Sequence, residues 1–399
     1  MNNYRNKGYR GNRSRYPQHK KKPYSFQWNE QELVKTIEHY KDAPKIVSNT
    51  AYNATNTIDT LDVDFQLKQN IYAKGYKVLT PIQDQAIPFI LGNNDIIGIA
   101  NTGTGKTAAF LIPLVNKVIK DRTQKVLIIA PTRELAEQIN EEFKLLALNL
   151  RVFSTLIIGG QNIRTQILGL RRNPNFVIGT PGRIKDLINR HQLNLGNFNN
   201  VVLDETDRMV DIGFIKEIKT IISLLPNQRQ SLFFSATVSK KVEEIIRLFV
   251  KNPITISVKK QDTNANIQQN IVRVPKHIKK VDQLHDLLIS QGFEKVLVFG
   301  NTKWGVQKLA TELINRGFKA DAIHGNKRQN QRKTILENFK KNKISILLAT
   351  DVAARGLDIE NVSHVINYDI PNSYNEYIHR IGRTGRAEKT GTAITFIGA

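Results

Sequence analysis

Cysteine is absent from the 399-residue sequence, and methionine and tryptophan occur only twice each. Without cysteine the chain can form no disulfide and no thiolate zinc site, and it has no cysteine nucleophile, which excludes small disulfide-stapled secreted proteins. No apolar run approaches the roughly 18 residues of a membrane-spanning helix. The basic N-terminus also lacks the apolar segment of a secretory signal. We therefore expect a soluble, cytoplasmic protein without a membrane anchor.

Acidic residues are scarce relative to basic ones, with 35 Asp and Glu against 59 Lys and Arg, which leaves a formal net charge of +24. Such an excess favours a polyanionic partner. Residues 1–23 contain eight Lys or Arg and no acid, interleaved with Tyr4, Tyr9 and Tyr16. This segment is either a solvated tail or a flexible arm that attracts phosphates and stacks on bases.

Short apolar runs alternate with longer helical patterns along most of the chain, which predicts buried parallel strands joined by helices. The length and a polar interruption near residues 259–270 indicate two α/β domains. Leu33, Ile37 and Tyr40 have the spacing of a short amphipathic helix. We expect a basic, largely disordered extension with that helix (1–56), a first domain (57–258), a hinge (259–268) and a second, truncated domain (269–399).

A phosphate-binding loop is predicted at residues 100–107, ANTGTGKT, because it follows the apolar run DIIGIA and precedes a helical pattern. Gly103 and Gly105 let backbone N–H groups approach phosphates closely. Lys106 would neutralise the β- and γ-phosphates, and the Thr107 hydroxyl would hold Mg²⁺. Ala100 stands where the usual pattern has glycine.

Two acids, Asp204 and Glu205, directly follow the apolar run of VVLDETD, so they are predicted at the carboxyl edge of a parallel sheet. Asp204 fits a carboxylate that orders Mg²⁺. Glu205 fits the group that orients or deprotonates an attacking water. Taken alone, the pattern is equally typical of a solvated strand end, and its distance from the phosphate loop is what favours the catalytic interpretation.

A cationic turn near the end of the chain, HRIGRTGR at 379–386, holds Arg380, Arg383 and Arg386. A surface basic helix is the alternative, but it would ordinarily avoid Gly382 and Gly385. Arg383 and Arg386 are therefore predicted to reach the γ-phosphate across a cleft as arginine fingers.

Taken in order, these motifs and their neighbours resemble a DEAD-box RNA helicase of superfamily 2, with DETD in the acidic position, over roughly residues 57–399. The ordered set is GYKVLTPIQ (75–83), ANTGTGKT, PTRELA (131–136), GG (159–160), TPGR (180–183), DETD (204–207), SAT (235–237), QNQR (329–332), ATDVAARGLD (349–358) and HRIGRTGR. The resemblance implies two tandem RecA-like domains of the P-loop NTPase type that close on ATP and single-stranded RNA together.

The resemblance also implies roles for individual residues. Nucleotide contacts fall to Tyr76, Gln83, Thr102, Gly103, Thr104, Gly105, Lys106, Thr107 and Asp358. Coupling of hydrolysis to domain movement falls to Asp207, Ser235 and Thr237. RNA contacts fall to Pro131, Thr132, Arg133, Gly160, Thr180, Gly182, Arg183, Gln329, Arg332, Thr350 and Arg355. The implied activity is RNA-stimulated ATP hydrolysis with Mg²⁺ by a monomer that binds RNA without sequence preference and unwinds short duplexes locally.

Three positions depart from the family pattern. Ile58 replaces an aromatic residue, which weakens the expected stacking on adenine, and Leu79 replaces a proline next to the glutamine motif. Thr206 replaces alanine and alters neither metal ligand nor base. Three other functions remain open from the sequence: a duplex-DNA translocase on the same two domains, a non-catalytic RNA clamp and, least favoured, a small-molecule kinase.

Overall fold

The computed structural model describes residues 29–42, 52–101, 103–258, 267–290, 293–354, 362–385 and 390–398. The predicted basic arm, most of the predicted hinge and four predicted site residues lie outside these ranges. Those four residues are Thr102, Arg355, Asp358 and Arg386.

The first domain is built on a seven-stranded sheet in which every strand pair is parallel. Its strands are β1 (Ile96–Ala100), β2 (Val126–Ile129), β3 (Ser154–Ile157), β4 (Phe176–Gly179), β5 (Asn200–Leu203), β6 (Gln230–Ser235) and β7 (Ile254–Val258). They lie in the order β3-β4-β2-β5-β6-β1-β7. The helices of this domain are α2 (Phe65–Ala73), α3 (Pro81–Leu91), α4 (Lys106–Lys120), α5 (Arg133–Leu146), α6 (Ile163–Arg171), α7 (Pro181–Asn189), α8 (Thr206–Ile212), α9 (Ile215–Ser223) and α10 (Lys240–Phe249), with a 3₁₀ turn at Leu195–Asn197.

The described part of the second domain has six strands, again paired in parallel. They are β8 (Ile267–Val274), β9 (Val296–Phe299), β10 (Ala320–Ile323), β11 (Ile346–Ala349), β12 (His364–Asn367) and β13 (Gly391–Gly398), in the order β10-β11-β9-β12-β13-β8. Its helices are α11 (Lys280–Ile289), α12 (Lys303–Asn315), α13 (Gln329–Lys340), α14 (Asp351–Ala354) and α15 (Tyr374–Ile381). These two parallel sheets confirm the predicted α/β class.

Helices cover both faces of each sheet, which explains why the strands are continuous apolar runs rather than alternating patterns. Successive strand residues point to opposite faces. On β6, Phe234 accordingly belongs to the apolar core on one side of the sheet and Phe233 to the core on the other side. Gly98 on β1 permits this packing, because a Cβ there would lie 2.5 Å from the Phe234 ring.

The N-terminal helix α1 (Glu30–Asp42) packs on the second domain, although the first domain follows it in the chain. Leu33 and Ile37 are fully buried, and they join one apolar cluster with Tyr377 and Ile381 of α15. The predicted helix is therefore present. Its docking site could not be read from the sequence, because the amphipathic spacing identifies an apolar face but not the surface that covers it.

Among the described residues, no helix combines the length and the apolar character needed to cross a membrane.

Candidate functional site

The phosphate loop connects β1 to α4, as predicted. Gly103 and Gly105 have φ of +82° and +91°, left-handed values that glycine adopts without strain. A Cβ at Gly105 would lie 2.5 Å from Gln83 Nε2, so a side chain there would displace the Gln83 amide. Lys106 is buried, and its Nζ donates to the Ala100 carbonyl at 2.7 Å. The Thr104 hydroxyl closes the loop by donating to the Asn101 carbonyl at 2.8 Å.

Asp204 and Glu205 follow β5 at the carboxyl edge of the sheet, and both are buried. Burial raises the pKa of Asp204 to about 6, with Lys106 opposing the shift and Glu205 adding to it. Burial also opposes ionisation of Glu205, but Arg208 and Lys106 outweigh it and lower the pKa of Glu205. Arg208 Nη1 lies 2.6 Å from Glu205 Oε2. Glu205 therefore carries a stable negative charge beside the phosphate loop.

The backbone at Glu205 is strained, since a non-glycine residue there has φ of +48°. The turn places the Glu205 amide 2.9 Å from Asp204 Oδ1, so the two acids hold each other in position. Strain of this kind persists where the surroundings fix the conformation, and functional sites are typical places for it.

The three predicted coupling residues form one hydrogen-bonded group. Thr237 donates to Asp207 Oδ2 from both its amide and its hydroxyl, each at 3.0 Å. The Ser235 hydroxyl donates to the Thr237 carbonyl at 2.8 Å and accepts from the Asp207 amide at 3.3 Å. The end of β6 is thus tied to the first turn of α8, immediately after Glu205.

Gln83 lies beside the phosphate loop. Its Oε1 accepts from the Thr80 amide at 3.0 Å, and its Nε2 donates to the Gly105 carbonyl at 3.1 Å. Pro81 occupies the first turn of α3, so this helix begins where expected despite Leu79. Tyr76, which was predicted to contact the nucleotide with Gln83, instead donates a hydrogen bond from its hydroxyl to Glu142 of α5 at 2.8 Å.

Ile58 lies in the apolar core of the first domain and is only 1% exposed. Because the core encloses the Ile58 side chain, it cannot contact a ligand in this structure. The segment before it is held by Asp84, which accepts from the Tyr52 hydroxyl at 2.5 Å, the Thr55 amide at 2.9 Å and the Asn56 amide at 2.8 Å. The sequence alone did not single out Asp84, because its partners are about 30 residues away in the chain.

In the second domain the arginines of the cationic turn are in different surroundings. Arg380 is 1% exposed and bound within its own domain, with Nε and Nη2 each 2.7 Å from the Asp351 carboxylate. Arg383 is also buried, and its charge contributes to the lowered pKa of Glu205 in the other domain. The structure thus brings one predicted finger near the predicted base.

The predicted RNA contacts of the first domain gather near the starts of α5 and α7. Arg133 packs beneath Gly160, where a Cβ would overlap its guanidinium. Thr132 caps α5 by accepting from the Leu135 amide at 3.3 Å, and Arg183 donates to the Gln161 carbonyl at 3.3 Å. Pro131, Thr180 and Gly182 lie in the same turns.

Gln329 and Arg332 of the second domain face carboxylates of α5 in the first domain. Arg332 Nη2 lies 2.9 Å from Glu134 Oε1, and Gln329 Nε2 lies 3.3 Å from both Glu134 Oε1 and Glu137 Oε2. Thr350, predicted with them, stands before α14 and accepts from the amides of its first turn. Glu134 and Glu137 were missed from the sequence, since only the fold reveals which cations they meet.

Between the domains, the residues that the structure describes line two neighbouring cavities. One, of about 850 Å³, is lined by Lys106, Thr107, Asp204 and Glu205 together with α5 and α13. The other, of about 1230 Å³, is lined by Arg133, Gly160 and the start of α13. The predicted nucleotide and RNA residues are therefore largely segregated into neighbouring spaces.

Two parallel α/β domains, a phosphate loop and a buried acid pair facing an arginine of the second domain define a two-domain P-loop NTPase. Residues 80–245 match the DEAD/DEAH box helicase family, and residues 279–388 match the helicase conserved C-terminal domain. The DEAD-box ATP-dependent RNA helicase CshA of Bacillus subtilis is 47% identical over 345 residues, which cover 86% of this chain and 70% of that protein. The chain belongs to the DEAD-box ATP-dependent RNA helicases.

Solved structures agree across both domains. Dbp5 of S. cerevisiae, bound to RNA and ADP BeF3, has a TM-score of 0.76 at 30% identity, covering 86% of this chain and 90% of that one. Mss116p, bound to ssRNA and AMP-PNP, has a TM-score of 0.77 at 30% identity, covering 87% of this chain and 76% of that one. They confirm the tandem RecA-like architecture.

Proposed function

We propose that this helicase uses ATP to close its two domains on single-stranded RNA, releases a paired strand locally, and hydrolyses ATP to let the RNA go. The observation that carries the proposal is the position of Glu205, which lines one cavity with Lys106 of its own domain and with Leu336 and Lys340 of the other. A site divided in this way is complete only when the domains meet. Ligands that favour contact between the two domains therefore control hydrolysis.

In this mechanism Lys106 and the loop amides bind the ATP phosphates, while Gln83 recognises adenine. Because the pKa of Glu205 is lowered, its carboxylate is a poor proton acceptor near neutral pH. Glu205 is better suited to orient the attacking water by accepting its hydrogen bond. Arg383 stabilises charge on the transferred phosphoryl group, and the same role is proposed for Arg386; Thr102 and Asp358 complete the nucleotide contacts.

Mg²⁺ fits the residues present. The Thr107 hydroxyl and the Asp204 carboxylate line the same cavity, and burial of Asp204 leaves a carboxylate that a cation would stabilise. One carboxylate, one hydroxyl and the ATP phosphates would offer the oxygen ligands that Mg²⁺ takes. When bound, Mg²⁺ would neutralise charge on the ATP phosphates.

RNA is proposed to contact the first domain through Pro131, Thr132, Arg133, Gly160, Thr180, Gly182 and Arg183, and the second through Gln329, Arg332, Thr350 and Arg355. Contacts of this type, through backbone groups and cations, address phosphates and sugars rather than base edges. Binding should consequently be independent of sequence.

Phosphate release, measured with single-stranded RNA and with DNA of the same sequence, tests the proposal. We expect RNA alone to stimulate hydrolysis. Glu205→Gln should reduce turnover by about 10²–10⁴-fold while ATP binding is kept, and the exposed Glu243→Gln should behave as the parent. Equal stimulation by DNA would favour a translocase, and the absence of turnover would favour a clamp.

A further inference from the structure

A basic groove between the domains extends beyond the family motifs. It is the cavity of about 1230 Å³, bounded on one side by α6 and β3 and on the other by the start of α13. Arg133, Arg172, Lys327 and Arg328 are among its described lining residues, and none of those residues is Asp or Glu. Only Arg133 of these cations belongs to a predicted motif, so three positive charges in the groove have no assigned role.

Arg172 lies on the first-domain wall. It is the C-terminal cap of α6, and that helix packs closely on β3 because a Cβ at Gly169 would lie 2.9 Å from Thr155 Cγ2. The side chain of Arg172 is exposed, and within the described ranges it makes no ion pair. The backbone of Arg172 is fixed at the end of α6, whereas its guanidinium has no carboxylate partner among the described residues. This side chain can therefore bind an anion from solution.

Arg328 lies on the opposite wall, at the N-cap of α13. A guanidinium has no acceptor atom, so this residue cannot cap the helix as Ser or Asp would. The first amides of the 12-residue helix therefore face the groove together with the positive end of its dipole. Neighbouring Lys327 carries a further positive charge, and it forms an ion pair with Asp321, 3.3 Å away.

Gln329 gives an independent indication of the ligand. Its side chain lines both the groove and the neighbouring cavity and is 3% exposed, and among the described residues its Oε1 has no hydrogen-bond partner. An unpaired buried acceptor requires a donor. Phosphodiester oxygens cannot donate, whereas the 2′-hydroxyl of a ribose can. The groove thus offers cations that can bind phosphates and, beside them, an oxygen that can accept from a ribose hydroxyl. This combination matches the backbone of RNA.

We propose that Arg172, Lys327 and Arg328 bind the phosphates of RNA nucleotides that extend beyond those held by the motif residues. The inference rests on the proposed RNA function and adds a second segment to the binding track. Because its walls belong to different domains, a strand lying in the groove also favours the arrangement in which the domains face each other.

Fluorescence anisotropy with single-stranded oligouridylates of increasing length tests the inference in the full chain. Arg172→Glu and Arg328→Glu should bind the shortest oligonucleotides as the parent does and lose affinity for longer ones. Their logarithmic salt dependence with long RNA should fall by about 0.7 for each lost phosphate contact. Arg171→Glu and Lys341→Glu are matched controls, since these exposed residues lie on α6 and next to α13 but outside the groove.

The possible results distinguish a failure of the proposed RNA function from a failure of the groove proposal alone. A parent protein that fails to bind RNA contradicts the proposed function itself. A parent that binds RNA, with groove variants indistinguishable from their controls, overturns only the groove. Equal losses for short and long RNA would also overturn it, because the residues would then belong to the motif site. Arg172→Gln and Arg328→Gln, which remove charge without reversing it, repeat the comparison if a Glu variant misfolds.

Discussion

Leu33→Ala tests the docking of α1 on the second domain. Leu33 is fully buried in a cluster with Tyr377 and Ile381, so its truncation leaves a cavity that the fixed second domain cannot fill. Truncating a buried leucine costs about 2–5 kcal/mol. The equilibrium constant between the docked and the undocked helix should therefore fall by about 30-fold or more, since about 1.4 kcal/mol corresponds to tenfold.

Hydrogen exchange followed by mass spectrometry measures the loss of α1 docking directly. Amides of α1 should exchange at least tenfold faster in Leu33→Ala, and those of β8 and β13, which lie beneath the helix, should lose protection to a smaller extent. Strands of the first domain should be unchanged. Lys35→Ala is the control, because Lys35 lies on the exposed face of the same helix. Unchanged exchange of α1 in Leu33→Ala would refute the docking.

The docking of α1 matters because it gives the two domains a second connection, in addition to the hinge. Residues from Tyr52 onward are held on the first domain through Asp84, while α1 is held on the second. The chain between residues 42 and 52 can span at most about 35 Å. The N-terminal segment therefore links the domains by a second route and limits how far they separate.

Three further predictions concern the first domain and the arm. Lys106→Ala should weaken ATP binding itself, measured by titration with a fluorescent ATP analogue; unchanged affinity would contradict its phosphate role. Ile58→Phe should lower the free energy of unfolding by about 1–3 kcal/mol in urea denaturation, because Ile58 lies in a packed core; tighter ATP binding without destabilisation would show instead that the position reaches adenine. Deleting residues 1–23, with eight cations, should flatten the logarithmic salt dependence of RNA binding by about 2–3 units and leave turnover at saturating RNA unchanged; identical slopes would make the arm a silent tail.

Strands and phosphate loop were predictable because they depend on local sequence. Val201 and Leu203 lie in a continuous apolar run, which a strand buried on both faces requires, and Gly105 marks a turn that other residues would strain. The acids after β5 were predictable for the same reason, since the end of a parallel strand fixes their position at the sheet edge.

Partners distant in the chain were not predictable. Glu134 stands in a motif expected to contact RNA, yet its carboxylate meets Arg332 from the other domain, nearly 200 residues away. Similarly, Arg208 follows DETD closely in sequence, but only the tight turn at Glu205 shows that their side chains pair. Such contacts depend on how elements pack, which periodicity does not encode.

Cooperative closure of the two domains is the central claim, and single-molecule energy transfer tests it most directly. The natural chain has no cysteine, so dyes can be attached specifically to Lys216→Cys in the first domain and Lys308→Cys in the second, both exposed positions. We predict that a non-hydrolysable ATP analogue and single-stranded RNA together shift the population to one state of constant transfer efficiency, and that neither ligand alone does so. A full shift with RNA alone, or none with both ligands, would contradict the account.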